Sequence, residues 1–356
     1  MTASGFVLFA LGLEAFIAVW ALVVPDRTRP DLLFAVTVDP AVRRTAKGRA
    51  ILAAYRRGAA VVAVVSIASC LAGAAGHVQT AFLVSLVVEL AGLTTVYYRA
   101  HRRTQPFAAV SGTVRESALD APPPRLPALW AQLGPFAILA AAAVYLHAHW
   151  SQIPVRFPVH WTFDGRPDRW ATRTAPGVYG ELAVAAVLCA GLLLTAWATA
   201  HRTRQIHATG KPAEAERQFR RTVLRLLLAA EYFVTGTFAL VARAHVHVTA
   251  GPPAAIPAAA LVFAGGTAFV LARMGQGGTR LAGAAAPSSD GEVVGDRTDD
   301  RYWRAGVIYI NRADPALLIE KRFGGGYTMN FARPAAWAIL ALILLGVPFV
   351  AWLTRH

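Results

Sequence analysis

Cysteine, methionine and acidic charge are all scarce in this chain. Its 356 residues include 2 Cys, 3 Met and 20 Asp plus Glu, against 35 Lys plus Arg. Two cysteines cannot build a disulfide framework or a cysteine-rich metal centre. Cys70 and Cys189 each fall inside an apolar run, where small packing residues are expected. Charged residues of both signs reach only 15% while apolar residues reach 56%, with a mean hydropathy of +0.45. Such a chain is too oily for an ordinary soluble domain. Catalytic signatures are missing as well: no Gly-x-Ser-x-Gly, His-Glu-x-x-His or Walker sequence occurs. FGGGY at 323–327 lacks the lysine and following helix of a phosphate loop and reads as a turn. These absences argue against a hydrolase or a nucleotide-driven pump. A non-enzymatic protein without cofactors is expected.

What is present is hydrocarbon. A bilayer core about 30 Å thick needs roughly 20 apolar residues per helix, and eight segments qualify, at 4–24, 59–75, 80–98, 129–148, 182–200, 222–241, 256–272 and 334–353. The fold class expected is an all-α polytopic membrane protein with a small β-rich module before the last helix. Orientation follows from the retention of Lys and Arg on the cytoplasmic side. The segments 25–58, 99–128, 201–225 and 273–333 hold 29 of the 35. With these inside, both termini face out. The formal charge of +15 then reflects this asymmetry and anionic inner-leaflet lipid, so a lipid bilayer is the expected partner and nucleic acid is not. The first segment has no basic leader region and carries Glu14 at its middle, so it is expected to remain as a helix.

Composition divides the chain further. Residues 1–98 carry three helices, and DPAVRRTAKGRAILAAYRR at 39–57 reads as a basic amphipathic helix on the inner leaflet, begun by Asp39 and Pro40. A partner-binding helix is the alternative. Residues 99–128 form a linker containing PPP. Residues 129–200 hold helices four and five with an outer loop at 149–179, and 201–272 hold helices six and seven. Residues 273–300 read as a flexible Gly/Ala/Ser-rich linker. In 301–333, GVIYIN, ALLIEKR and YTMNF read as three short strands separated by turns. So small a module must dock on the membrane domain or on a partner. Residues 334–356 contain the last helix.

The outer loop IPVRFPVHWTFDGRPDRW interrupts the oil with polar groups. Asp164-Gly165 supplies a turn, prolines stiffen the arms, and Trp161 and Trp170 suit a water–lipid boundary. This scaffold reading needs no ligand. The alternative is convergence of His160, Asp164 and Asp168 on a divalent cation or a proton. Pro158, His160, Trp161, Gly165, Pro167 and Asp168 resemble the signature of domain of unknown function 1648, with Asp164 where that family often has Asn. Trp303, Tyr309, Asn311, Asp314, Lys321, Arg322, Asn330 and Pro334 are similar to a second family, domain of unknown function 5808. Domain 1648 occurs in SdpI-type immunity proteins, and the resemblance implies a sensor or immunity role, with an extracellular peptide ligand and a cytoplasmic regulator as partners.

Three intramembrane carboxylates raise a separate question. Glu14, Glu89 and Glu231 lie near the centres of their segments, with no Lys or Arg at that depth. Each costs about 2.5–3.5 kcal/mol to insert. They must face inward, as isolated protonated groups or gathered around a proton or cation, which is the basis of an alternative reading as a secondary transporter. His77, His147, His149, His160, His245 and His247 share the outer side, where helix-end packing and pH sensing are both open to them.

Overall fold

A computed structural model describes residues 3–73, 78–109, 126–161, 167–203, 210–247, 255–281 and 300–353. Eight α-helices form its frame: α1 (Ala3–Arg27), α2 (Ala46–Gly73), α3 (Val78–Thr104), α4 (Leu129–Ala148), α5 (Ala175–His201), α6 (Gly210–Arg243), α7 (Ala255–Met274) and α8 (Pro334–Leu353). The first seven are long and apolar enough to cross a membrane, and α8 is a further apolar helix. Their surfaces are inverted relative to a soluble protein, since Val64, Val87, Val144 and Val262 are 68, 65, 69 and 75% exposed. Side chains so placed face hydrocarbon. The protein is therefore a multi-pass, all-α membrane protein with separate small strand pairs.

The helices form two groups. α2 and α3 pair most extensively, with α1 laid across them; α5 is the axis of the second group, packed on α6, α8 and α4. α7 touches both through α1 and α6. Close approach depends on small residues, as usual between helices in lipid. A Cβ on Gly92 would meet Val62 at 2.7 Å, and one on Gly134 would strike the Tyr232 hydroxyl, which donates to Ala131 O at 2.9 Å.

Residues 39–57 differ from the surface helix expected. Asp39 does act as a cap, accepting from Ala41 N at 2.7 Å, but of a short 3-10 turn over Pro40–Arg44. The chain extends at Thr45, whose hydroxyl accepts from Gly48 N at 3.0 Å, and α2 starts at Ala46 and runs on as a membrane helix. Gly48 explains the break. A Cβ there would lie 2.0 Å from Val42 O, so only glycine lets the turn fold back onto the helix. Arg43 then donates to Pro25 O at 3.0 Å, in the last turn of α1, and to Thr28 Oγ1 and Leu32 O just beyond it, each at 2.6 Å.

Among the described residues, eight short strands make four antiparallel pairs. β1 (Leu32–Leu33) and β2 (Val36–Thr37) follow α1. β3 (Arg156–Trp161) and β4 (Pro167–Thr172) form the hairpin between α4 and α5. In the C-terminal module, β5 (Trp303–Arg304) pairs with β6 (Ile308–Tyr309) and β7 (Leu318–Glu320) with β8 (Tyr327–Met329). A parallel bridge between Tyr309 and Asn330 joins the module's two pairs. The β3–β4 hairpin leads into the start of α5 and the module meets its end, so these features mark opposite ends of the helix frame.

Candidate functional sites

At the hairpin end, Phe157 of β3 is fully buried with Ile153, Leu146 and Val178. Its ring lies 4.6 Å from that of His245, just beyond α6. His245 is itself fully buried, and its Nε2 is 3.5 Å from Glu181 Oε2 on α5. Neither imidazole nitrogen makes a hydrogen bond with any described residue. Arg173 fastens the hairpin's base by donating to Ile153 O at 2.8 Å and Ser151 O at 3.2 Å. Above this seat, His160 Nδ1 and Asp168 Oδ1 are 2.5 Å apart, with side chains 48 and 41% exposed. A pair so open contributes little stability. Asp164 and Gly165 lie outside the described residues, and among those described no group of three or more His, Cys, Asp or Glu gathers as a metal site. Arg156 stacks over Trp170 at 5.4 Å.

At the opposite end, the module's singled-out residues tie its own loops. The Tyr309 hydroxyl donates to Asp314 Oδ2 at 2.9 Å and accepts from Asn311 Nδ2 at 3.1 Å. Asn330, fully buried, donates to Asn311 O, Asp314 O and Ala316 O, and accepts from Asn311 N and Ala332 N. Trp303 packs on Tyr309 at 5.0 Å between ring centroids. With the polar side-chain atoms of Tyr309, Asn311, Asp314 and Asn330 engaged in holding the loop and the Trp303 ring packed on Tyr309, these five residues form a scaffold.

The module is bound to several other parts of the chain. Arg322, 3% exposed, donates to Ala35 O at 3.1 Å and Thr37 Oγ1 at 2.8 Å, pairs with Asp300 and lies 5.2 Å over Trp303. Burial pulls its guanidinium below the usual arginine range, and Asp300 opposes that pull. Gln276, after α7, accepts from Arg29 N at 3.1 Å and donates to Lys321 O. Leu317 N and Leu318 N donate to Arg202 O at the end of α5, at 2.8 and 3.1 Å. Tyr327 packs on Phe219 of α6 and is hydrogen-bonded to Arg220. A cavity of about 320 Å³ remains between β7–β8 and α5–α6, lined by Thr195, Thr199, Val223, Leu227, Met329 and Phe331 among others.

One joint of this interface is strained. Among the described residues only Phe34, Ala35 and Ala305 have positive φ without being glycine, at 45°, 65° and 50°. Such residues cost on the order of 1–3 kcal/mol each and persist where surroundings enforce them. All three meet here, since a Cβ on Gly306 would lie 2.5 Å from that of Ala35. A side chain holds each carbonyl: His101 Nδ1 is 2.8 Å from Phe34 O, Arg322 donates to Ala35 O, and the Tyr97 hydroxyl donates to Ala305 O at 3.1 Å.

The three glutamates are buried, at 0, 0 and 1% exposure for Glu14, Glu89 and Glu231. Glu14 accepts from the Ser85 hydroxyl, and Glu89, one turn along α3 from Ser85, is near enough for its charge to interact with that of Glu14. Glu231 stands apart on α6, beside Cys189 of α5 and Thr235, whose thiol and hydroxyl both donate to its backbone carbonyl. The structure thus brings together two of the three. The sequence reading missed the His245–Glu181 contact, Arg322 as an anchor, and Ser85. His245 had a signal as one of the histidines assigned to that end, and Arg322 as one of the residues resembling domain 5808; Ser85 had none.

The architecture is that of a polytopic membrane protein carrying a small hairpin at one end and a β-module at the other. Comparison with known families agrees. Residues 137–180, from within α4 through the hairpin to the first turns of α5, match the domain of unknown function DUF1648. Residues 312–337, from the loop between β6 and β7 through the start of α8, match the family of unknown function DUF5808. Trp303, Tyr309 and Asn311 precede the second match but are bonded or packed into it. No curated protein and no solved structure matches the chain.

Proposed function

We propose that this protein is a sensor of the SdpI-like immunity type in a bacterial cytoplasmic membrane, responding to an extracellular peptide or envelope stress. In this reading the termini and the β3–β4 hairpin face outward, and the C-terminal module reports to a cytoplasmic regulator. The concentration of 29 of 35 basic residues in the segments at the module's end supports that orientation.

One observation carries the reading: α5 and α6 seat the hairpin at one end and hold the module at the other. Phe157 rests on His245 beyond α6, beside Glu181 of α5, while Arg202 and Arg220 of the same helices bind Leu317, Leu318 and Tyr327. α5 has 27 residues, about 40 Å of continuous helix. Displacing the hairpin moves two rods that end in the module. The strained joint at Phe34, Ala35 and Ala305 suits two arrangements of the module, because releasing a held carbonyl relieves strain. Val307, Ile308 and Ile310 are 52, 45 and 42% exposed on the module and offer the regulator an apolar face.

Hydrogen–deuterium exchange of the full-length protein in nanodiscs tests the coupling. Phe157→Ala should speed exchange in β3–β4 and also in residues 317–330. Acceleration confined to the hairpin would refute the reading.

A further inference from the structure

We propose that Glu14, Glu89 and Ser85 form a binding site for one small monovalent cation, a proton or an alkali ion, enclosed by α1, α2 and α3. The site is independent of the coupling between hairpin and module.

Each of the three helices contributes to it. Glu14 comes from α1, Ser66 and Cys70 from α2, and Ser85 and Glu89 from α3; all five are fully buried. Ser66 Oγ donates to Ser85 O at 2.6 Å, fixing the α2–α3 register beside the carboxylates. The Ser85 hydroxyl lies between Glu14 Oε1 and Phe82 O, the latter at 2.9 Å. It has one proton for two acceptors, so turning it toward Phe82 frees a lone pair. Glu14 Oε2 and both carboxylate oxygens of Glu89 have no hydrogen-bond partner among the described residues. These unanswered acceptors point to a ligand that supplies positive charge.

The surrounding elements bring no cationic side chain. The Cys70 thiol adjoins Ser85 and Glu14. On α1 the remaining ionisable groups are Asp26 and Arg27 in the last turn. On α2 they are Lys47, Arg49, Tyr55, Arg56 and Arg57 toward the start, and on α3 Tyr97, Tyr98, Arg99, His101, Arg102 and Arg103 toward the end. α7, which packs on α1, has only Arg273 in its last turn. Two neighbouring carboxylates away from water cannot both remain uncompensated anions. The oxygen donors of Glu14, Glu89 and Ser85 favour a proton or a hard ion over a soft transition metal. Glu231, outside this group, serves as an internal control.

Infrared difference spectroscopy of the full-length protein in nanodiscs distinguishes the sources of charge. Between about pH 5 and 10, with a bulky organic cation as the only salt, a protonated-carboxyl band absent from Glu89→Gln should disappear as pH rises. Glu14→Gln should move its midpoint to lower pH, because a neighbouring negative charge is gone, whereas Glu231→Gln should not. Sodium or potassium lowering the wild-type midpoint identifies an alkali ion; no effect of either identifies the proton. A band that persists across the range, or titrates identically with and without Glu14, overturns the proposal. Should either glutamine variant fail to fold, Ser85→Ala is measured on the same band. An unchanged midpoint there also overturns it.

Discussion

Arg322 shows what a single side chain does in this molecule. Its fork joins Ala35, Thr37 and Asp300 while its plane covers Trp303, so removing it leaves a half-exposed carboxylate and two inner acceptors without their donor. Losing its charge-assisted hydrogen bonds costs about 1.5–3 kcal/mol. Arg322→Ala should therefore lower the thermal unfolding midpoint sharply, and Arg322→Lys, which keeps charge without the fork, should fall between. Tyr327 gives a pH signature. Burial pushes its phenol above the ordinary range, against a smaller pull from Arg220. The folded state keeps the proton after the unfolded chain has released it, so this contribution is intact below about pH 10 and declines above it. Thermal unfolding at rising alkaline pH should show a steeper loss for the native protein than for Tyr327→Phe. The three glutamates were legible in the sequence because an ionisable side chain stands out in a 20-residue apolar run. That Glu14 meets α3 was not, since Ser85 is 71 residues away and is an ordinary helix residue. The anchoring role of Arg322 was hidden similarly, its acceptors at Ala35 and Thr37 being 287 and 285 residues distant.

Among elements, the membrane helices were the easiest to read and the short strands the least uniform. Asp164-Gly165 between aromatic arms marked the β3–β4 hairpin, and three strands of the module were marked by β-prone runs. β1–β2 had no such mark. Its central residues, Phe34 and Ala35, have the positive φ for which two-residue hairpins ordinarily recruit Asn-Gly. The conformation is imposed by His101 and Arg322 from elsewhere, so no local pattern announces it. At residues 39–57 the start signal was real but belonged to a 3-10 turn, because the periodicity of basic and apolar residues does not register the fold-back that Gly48 permits. Gly48→Val should push that turn off α2 and loosen Arg43 from the end of α1, destabilising the protein by about 1–3 kcal/mol in denaturant or thermal unfolding. Gly92→Val should separate α2 from α3 and give a comparable loss.

For the whole molecule, the governing feature is that the C-terminal module is fastened to loops from both helix groups. Apolar runs and basic loops made the crossing pattern legible, but packing order was not, because every helix offers lipid and protein similar surfaces. Orientation is directly testable. A cysteine replacing Gly165 should react with an impermeant thiol reagent added outside intact cells and not from the cytosolic side of inverted vesicles. The reverse labelling would invert the scheme.

The hollow between β7–β8 and α5–α6 is partly open, so the module is close-packed against these helices on only part of its face. Atoms facing an open cleft lack dispersion partners on that side, and an apolar side chain larger than the native one at Thr199 or Val223 should fill the seam and slow hydrogen exchange in β7–β8.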